Sequence, residues 1–202
     1  MNRNTFILLA VSAVALVLVL LTFRKGDTDA YIAAIEKDRA DRNRYFSTAD
    51  DSPFKGSPFS GLNYFPPDPA YRVQAGLDII EDKRLVTLFT NDGRSQPYQE
   101  YAWAEFTLGQ LRFRLLILES IEAGPLRGTL FLAFADGTSA RETYGAGRYL
   151  DVKKVVGAAT LELDFNKAYN PYCAYADHFS CPLPPRENIL DMAIRAGEKS
   201  YQ

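Results

Sequence analysis

The run Thr5 to Phe23, TFILLAVSAVALVLVLLTF, carries no charge and has only Thr and Ser as polar residues. A helix of that length covers about 28 Å, close to the hydrocarbon core of a bilayer. A cleaved export signal has a shorter apolar core and small residues at its cleavage point. Thr28-Asp29-Ala30 fits that pattern poorly, and no cysteine stands here to carry a lipid. Residues 1–26 therefore read as a retained single-pass anchor. Its orientation rests on two opposed arguments. Arg24, Lys25, Lys37, Arg39 and Arg42 follow the run and only Arg3 precedes it, which by charge count keeps the following domain in the cytoplasm. A three-residue polar head, however, rarely needs to cross, and the charge rule weakens for long translocated domains. The expectation adopted is an extracytoplasmic domain on a membrane, with the cytoplasmic face as the alternative.

The rest of the 202 residues suffices for one domain of ordinary size. Lys plus Arg is 23 against 25 for Asp plus Glu, so no net field draws in nucleic acid. Asp27, Thr28 or Asp29 caps a predicted helix ending near Phe46. Its apolar stripe is thin (Tyr31, Ile32, Ile35, Phe46), and Lys37–Asp41 and Asp38–Arg42 stand at helical spacing. Residues 27–50 thus read as a solvated stalk. Between Ser52 and Pro69, SPFKGSPFSGLNYFPPDP mixes prolines with Phe54, Phe59, Leu62, Tyr64 and Phe65. Proline removes donors and fixes φ, while the rings need burial, so an extended strap packed on the domain is expected.

Residues 51–202 form the predicted β domain. Strand signals cover Tyr71–Ile80, Arg84–Thr90, Glu100–Leu108, Leu111–Glu119, Thr129–Ala135, Tyr149–Val152 and Thr160–Phe165. TNDG, TLGQL and ADGT break them as turns. YAWAEFTL alternates, with Ala102, Ala104, Phe106 and Leu108 on one face. Short strands at hairpin spacing predict a mainly β fold, an antiparallel sandwich or partly open barrel. No βαβ alternation supports a doubly wound nucleotide fold. The end, from Arg186, places Ile189, Leu190, Met192 and Ile194 to cover a sheet face.

The blocks SPF…GLNYFPPDPAYRV, FADGTSARETYGAGRYLDV and LDFNKAYNPYCAYADHFSCPLPPRENIL…IRAGEK resemble the bacterial family called domain of unknown function 1684. The resemblance runs from about Tyr31 to the end of the chain, and it implies no activity and no catalytic residue.

Two clusters invite a chemical reading. In ETYGAGRYLD, Gly145 and Gly147 free the backbone beside Tyr144 and Arg148, a planar doubly donating cation. Together they would cradle a phosphate or carboxylate, such as that of a flavin. The alternative is a sheet corner in which Arg148 is latched to Asp151, Asp164 or Glu142. Asp164 and Asn166 share a strand face and either join that ligand pocket or belong to the latch. Acid–base chemistry would need a second group, with Glu142, Glu187 and His178 as candidates.

In AYNPYCAYADHFSCPLPPRENIL, Cys173, His178 and Cys181 offer three zinc-type ligands, with Asp177 a poor fourth. A cysteine–histidine nucleophile pair would normally converge from distant segments. A Cys173–Cys181 disulfide suits the proline-bounded loop better. Its chain-entropy contribution is about 2.6 kcal/mol, against a net stability of ~5–15 kcal/mol. It forms only in an oxidising compartment, in keeping with an outward-facing domain. The expectation is a disulfide strap with no cofactor, flavin and zinc being the alternatives. Functionally, the sequence points to a non-catalytic binding or envelope-structural module, or else to an enzyme or cofactor binder with an anionic ligand around Arg148.

Overall fold

The computed structural model describes residues 3–155 and 157–201, with side chains from residue 26 onward. One α-helix, α1 (Arg3–Thr48), precedes eight strands. These are β1 (Arg72–Ile79), β2 (Leu85–Phe89), β3 (Ser95–Leu108), β4 (Leu111–Ser120), β5 (Leu130–Phe131), β6 (Ala133–Phe134), β7 (Arg148–Tyr149) and β8 (Thr160–Asp164). The anchor expected over Thr5–Phe23 lies outside the residues whose side chains are described. Among the residues whose side chains are described, no helix is long and apolar enough to cross a membrane.

Six strands form one antiparallel sheet in the order β5-β4-β3-β1-β8, with β2 hydrogen-bonded to the first half of β3. β6 and β7 make a separate two-stranded ladder. Among the described residues, the strands close no barrel. The residues that close the main core over the large sheet come from β6 and the C-terminal segment, Phe134, Leu190, Ile194 and Ala196 joining Ala102, Ala104, Phe106, Leu108, Leu115 and Ile117 in one buried cluster.

The hydrophobic pattern explains the long β3–β4 hairpin. Gly109, at φ 62°, turns the chain where few other residues would, and the pairing runs from Leu108↔Leu111 to Tyr98↔Ser120. A bulge between Glu100 and Ala102 exchanges the faces of β3. Beyond it the alanines, Phe106 and Leu108 face the main core, as the alternation of YAWAEFTL requires. Before it Tyr98 joins Leu88, Leu116 and Leu118 in a second cluster. From Leu115 to Leu118 β4 is therefore buried on both faces, which is why LLIL is an unbroken apolar run.

The stretch read as a solvated stalk is half embedded. Ile35 and Phe46 are fully buried, and Tyr31 donates to Asp164 at 2.8 Å. The Lys37–Asp41 pair forms at 2.7 Å, whereas Asp38 turns to Lys167 (3.2 Å) instead of Arg42. The thin stripe sufficed because arginine stems and guanidinium faces cover aromatic surface as well as apolar side chains do. Phe46, Phe54 and Leu62 form a third cluster, joined by Phe59, Tyr64, Tyr172, Tyr175 and Tyr201. It ties the end of α1, the proline strap and the C-terminus together.

Candidate functional site

The residues grouped by sequence reading as one ligand pocket occupy three places. Arg148, on β7, is completely buried. One guanidinium nitrogen, Nη2, donates to Asp136 Oδ2 at 2.6 Å and to the Ile194 carbonyl at 3.0 Å. The other, Nη1, donates to the carbonyls of Ala196 and Glu198. The latch therefore exists, but its carboxylate is Asp136 of the ADGT turn, not Asp151, Asp164 or Glu142. Asp136 also accepts from the Thr138 backbone and hydroxyl, at 2.7 and 2.6 Å. Burial pulls Arg148 down from the usual guanidinium range, and Asp136 opposes it. Gly147 is a packing glycine with φ 87°; a Cβ there would stand 2.6 Å from the Phe134 carbonyl and from Pro184. Gly145 lies against Ala140.

Asp164 and Asn166 are brought together elsewhere, under α1. Asp164 Oδ1 accepts from Tyr31 and from the Asn166 backbone, while the Asn166 carboxamide accepts from Asp68 N and donates to its carbonyl. Tyr144 lies in the third place, its hydroxyl 3.6 Å from Cys173 Sγ.

Both cysteines are buried, and no bond joins their thiols in this structure. They are nonetheless neighbours: Cys173 N donates to Cys181 Sγ at 3.3 Å. Hydrogen bonding from Cys173 brings the Cys181 thiol down to about 7, with burial opposing, while Cys173 is pushed well up. Asn91 fixes the loop by accepting from Cys181 N at 2.7 Å. Among the described residues, no group of three or more His, Cys, Asp or Glu side chains is placed to hold a metal.

Sequence reading missed an aromatic cleft of about 580 Å³. β3, β5 and β7 contribute to its lining from the strands, and so does the cysteine loop. Tyr98, Phe131, Tyr149, Tyr169, Tyr172 and Phe179 line it, with Cys181 and Pro182 at its wall. The rings brace one another: Tyr98 stacks on Phe131 at 4.9 Å, and Phe131 meets Tyr149 edge-on at 4.9 Å. The polar tips are committed. Tyr149 donates to the Pro182 carbonyl at 2.6 Å, and Tyr169 to Asp151 at 2.7 Å. Burial holds both phenols above their ordinary range. No local motif announces this cleft, because its rings come from segments that only the fold brings together.

Tyr169 and Asp151 also border a smaller cavity of about 200 Å³ between α1 and the turn at Phe165–Lys167. Arg39, Arg42 and Tyr64 line it. Arg39 donates to the carbonyls of Phe65 (2.9 Å) and Asn166 (3.3 Å), and its face covers the Tyr64 ring. Arg42 is sandwiched between the Phe46 and Tyr169 rings, each 4.7 Å away. Behind it, Glu198 is fully buried and accepts from Asn170 and Tyr175.

The family described as Protein of unknown function (DUF1684) matches residues 57–199. The chain belongs to that family. The match takes in the Arg148–Asp136 latch, the cysteine loop and the walls of the large cleft. The solution NMR structure of an uncharacterized protein of Haloarcula marismortui is also similar, with 37% identity and a TM-score of 0.64. It covers 86% of this chain and 96% of the other, a share reaching beyond 57–199. No curated protein matches the sequence.

Proposed function

We propose that the chain is a membrane-anchored, non-catalytic binding module whose ligand is a small, largely apolar molecule held in the aromatic cleft. The carrying observation is the cleft itself: about 580 Å³, with six aromatic side chains and few polar groups. Small-molecule sites have this size and lining. The committed hydroxyls of Tyr149 and Tyr169 favour holding over chemistry, because neither is left to move a proton. Arg148 speaks for a latch more than for an anion site, since its two terminal nitrogens are engaged by Asp136 and three carbonyls and only Nε is left without a partner. The uncharged Thr5–Phe23 run supports the anchor. The neighbouring thiols support an outward-facing domain in which Cys173 and Cys181 become bonded.

Native mass spectrometry of the full chain, extracted from its own membranes, tests the binding reading. A stoichiometric small-molecule adduct is expected. Phe179→Ala trims a half-buried cleft wall and should weaken its retention by about tenfold, equivalent to ~1.4 kcal/mol. A chain that carries no adduct, or one whose adduct ignores both Phe179→Ala and Phe131→Ala, would refute the proposal.

A further inference from the structure

The 200 Å³ cavity beside the aromatic cleft holds an unusual set of donors. Arg39 Nε, Arg42 Nε, Arg42 Nη2 and Tyr64 Oη are all buried and have no hydrogen-bond partner among the described residues. Leaving one such group unmet is costly, and four on three residues that line one chamber ask for an acceptor. Nothing about their placement is loose. Arg39 is pinned by two carbonyls, and Arg42 is gripped between two rings. They stand three residues apart on α1, and so on one face.

We propose that this cavity is a binding site for a monoanionic phosphate group, gripped by Arg39, Arg42 and the Tyr64 hydroxyl. The Nε and Nη2 of Arg42 form one edge of a guanidinium fork, which meets two oxygens side by side. Arg39 Nε and Tyr64 Oη remain for further oxygens, which a tetrahedral anion has and a carboxylate lacks. Charge sets the valence. Asp38 and Asp151 line the cavity against Arg39, Arg42 and Lys167, leaving one positive charge. Asp38 is already paired with Lys167, and Asp151 accepts from Tyr169. Glu198, whose Oε2 lies 4.0 Å from Arg42 Nε, is a further carboxylate, and its burial favours the neutral form. A dianion would be held poorly here. Of the residues expected from sequence to contact an anion, Asn166 lines this cavity and Arg148 does not. The site does not depend on the cleft being occupied.

The test uses the full chain in an uncharged detergent, followed by thermal melting and by the ³¹P line width of the added anion, with chloride matching ionic strength throughout. Inorganic phosphate stands for the free ion and dimethyl phosphate for a phosphodiester such as a lipid headgroup; acetate is the planar control. Saturable stabilisation by the phosphates and not by acetate is expected. The arm that binds more tightly at equal monoanion concentration identifies the source. Tyr64→Phe removes only a hydroxyl that has no partner, so ligand-free melting should stay level or rise. Phosphate binding should nevertheless weaken about tenfold or more, and Arg39→Gln should weaken it further. No saturable effect beyond chloride would overturn the site. So would equal binding in Tyr64→Phe and wild type. A fall in ligand-free melting for Tyr64→Phe without anion binding would also overturn it, assigning the donors to ordered water.

Discussion

Replacing Arg148 by Met keeps the length of the side chain and removes its guanidinium, leaving the Asp136 carboxylate buried without its cation. Breaking a buried ion pair from one side costs about 3–5 kcal/mol, because the remaining charge has lost both water and partner. The carbonyls of Ile194, Ala196 and Glu198 lose their donor at the same moment, although those losses do not add independently. A total of about 4 kcal/mol is a large part of a net stability of ~5–15 kcal/mol. With a urea dependence of roughly 2 kcal/mol/M, the unfolding midpoint should fall by about 2 M. Asp136→Asn in the same chain keeps an acceptor for Thr138 while removing the stranded charge. The double variant should therefore recover about 1–3 kcal/mol of the loss. Equilibrium urea unfolding by circular dichroism measures all three chains. A loss under about 1 kcal/mol for Arg148→Met refutes the reasoning. So does a stable variant that has lost its ligand, since Arg148 would then be serving a site and not a latch.

Three further outcomes follow from the geometry. Alkylation of the reduced protein, read by peptide mass spectrometry, should modify Cys181 before Cys173, with a pH midpoint near 7 that rises in Cys173→Ser; equal rates would contradict the hydrogen-bonded pair. Glu198 has its folded-state value raised by burial, so its stabilisation is complete below the unfolded value of 4.5 and is lost as pH rises through the folded one. Glu198→Gln should thus gain on wild type in urea unfolding as the pH rises above 4.5, and a constant difference would reject the shift. Gly147→Ala brings a Cβ to 2.6 Å from backbone at φ 87° and should cost about 1–3 kcal/mol, whereas thermal melting unchanged from wild type would mean that the corner relaxes.

Much of the sheet was legible because its faces alternate and its turns carry the right residues. The observed β1, β2, β4 and β8 end within a residue or two of the stretches read from pattern. β3 begins earlier, at Ser95, because Pro97 looks like a strand breaker. It is tolerated there because it pairs with Thr87 of β2 beyond the reach of β4, where a missing N–H breaks no second ladder. The helix was legible but its role was not. Hydropathy scores Arg39 and Arg42 as solvent-facing, and their burial depends on rings supplied by Tyr64, Phe46 and Tyr169. Asp136 could not be told from any turn aspartate. Only the fold brings it to a buried arginine twelve residues away.

Backbone hydrogen bonding accounts for the contacts that Arg148 and Asn166, two of the ligand-binding candidates, make in the fold. Most of the chain after Asp164 has no ladder to satisfy its backbone, yet much of it is buried. Each buried N–H or carbonyl then needs a partner, and side chains supply it. Asn188 serves Leu116 N, the Leu116 carbonyl and the Ala133 carbonyl. Asn166 serves both backbone groups of Asp68, Asn170 holds the Lys199 carbonyl, and Arg148 holds three carbonyls of the last segment. Buried polar residues in an irregular chain are thus the replacement for β pairing. Arg148 Nε, Asp164 Oδ2 and Asn170 Oδ1 are single atoms left over from that duty, whereas the three residues Arg39, Arg42 and Tyr64 on one cavity leave four donors unmet.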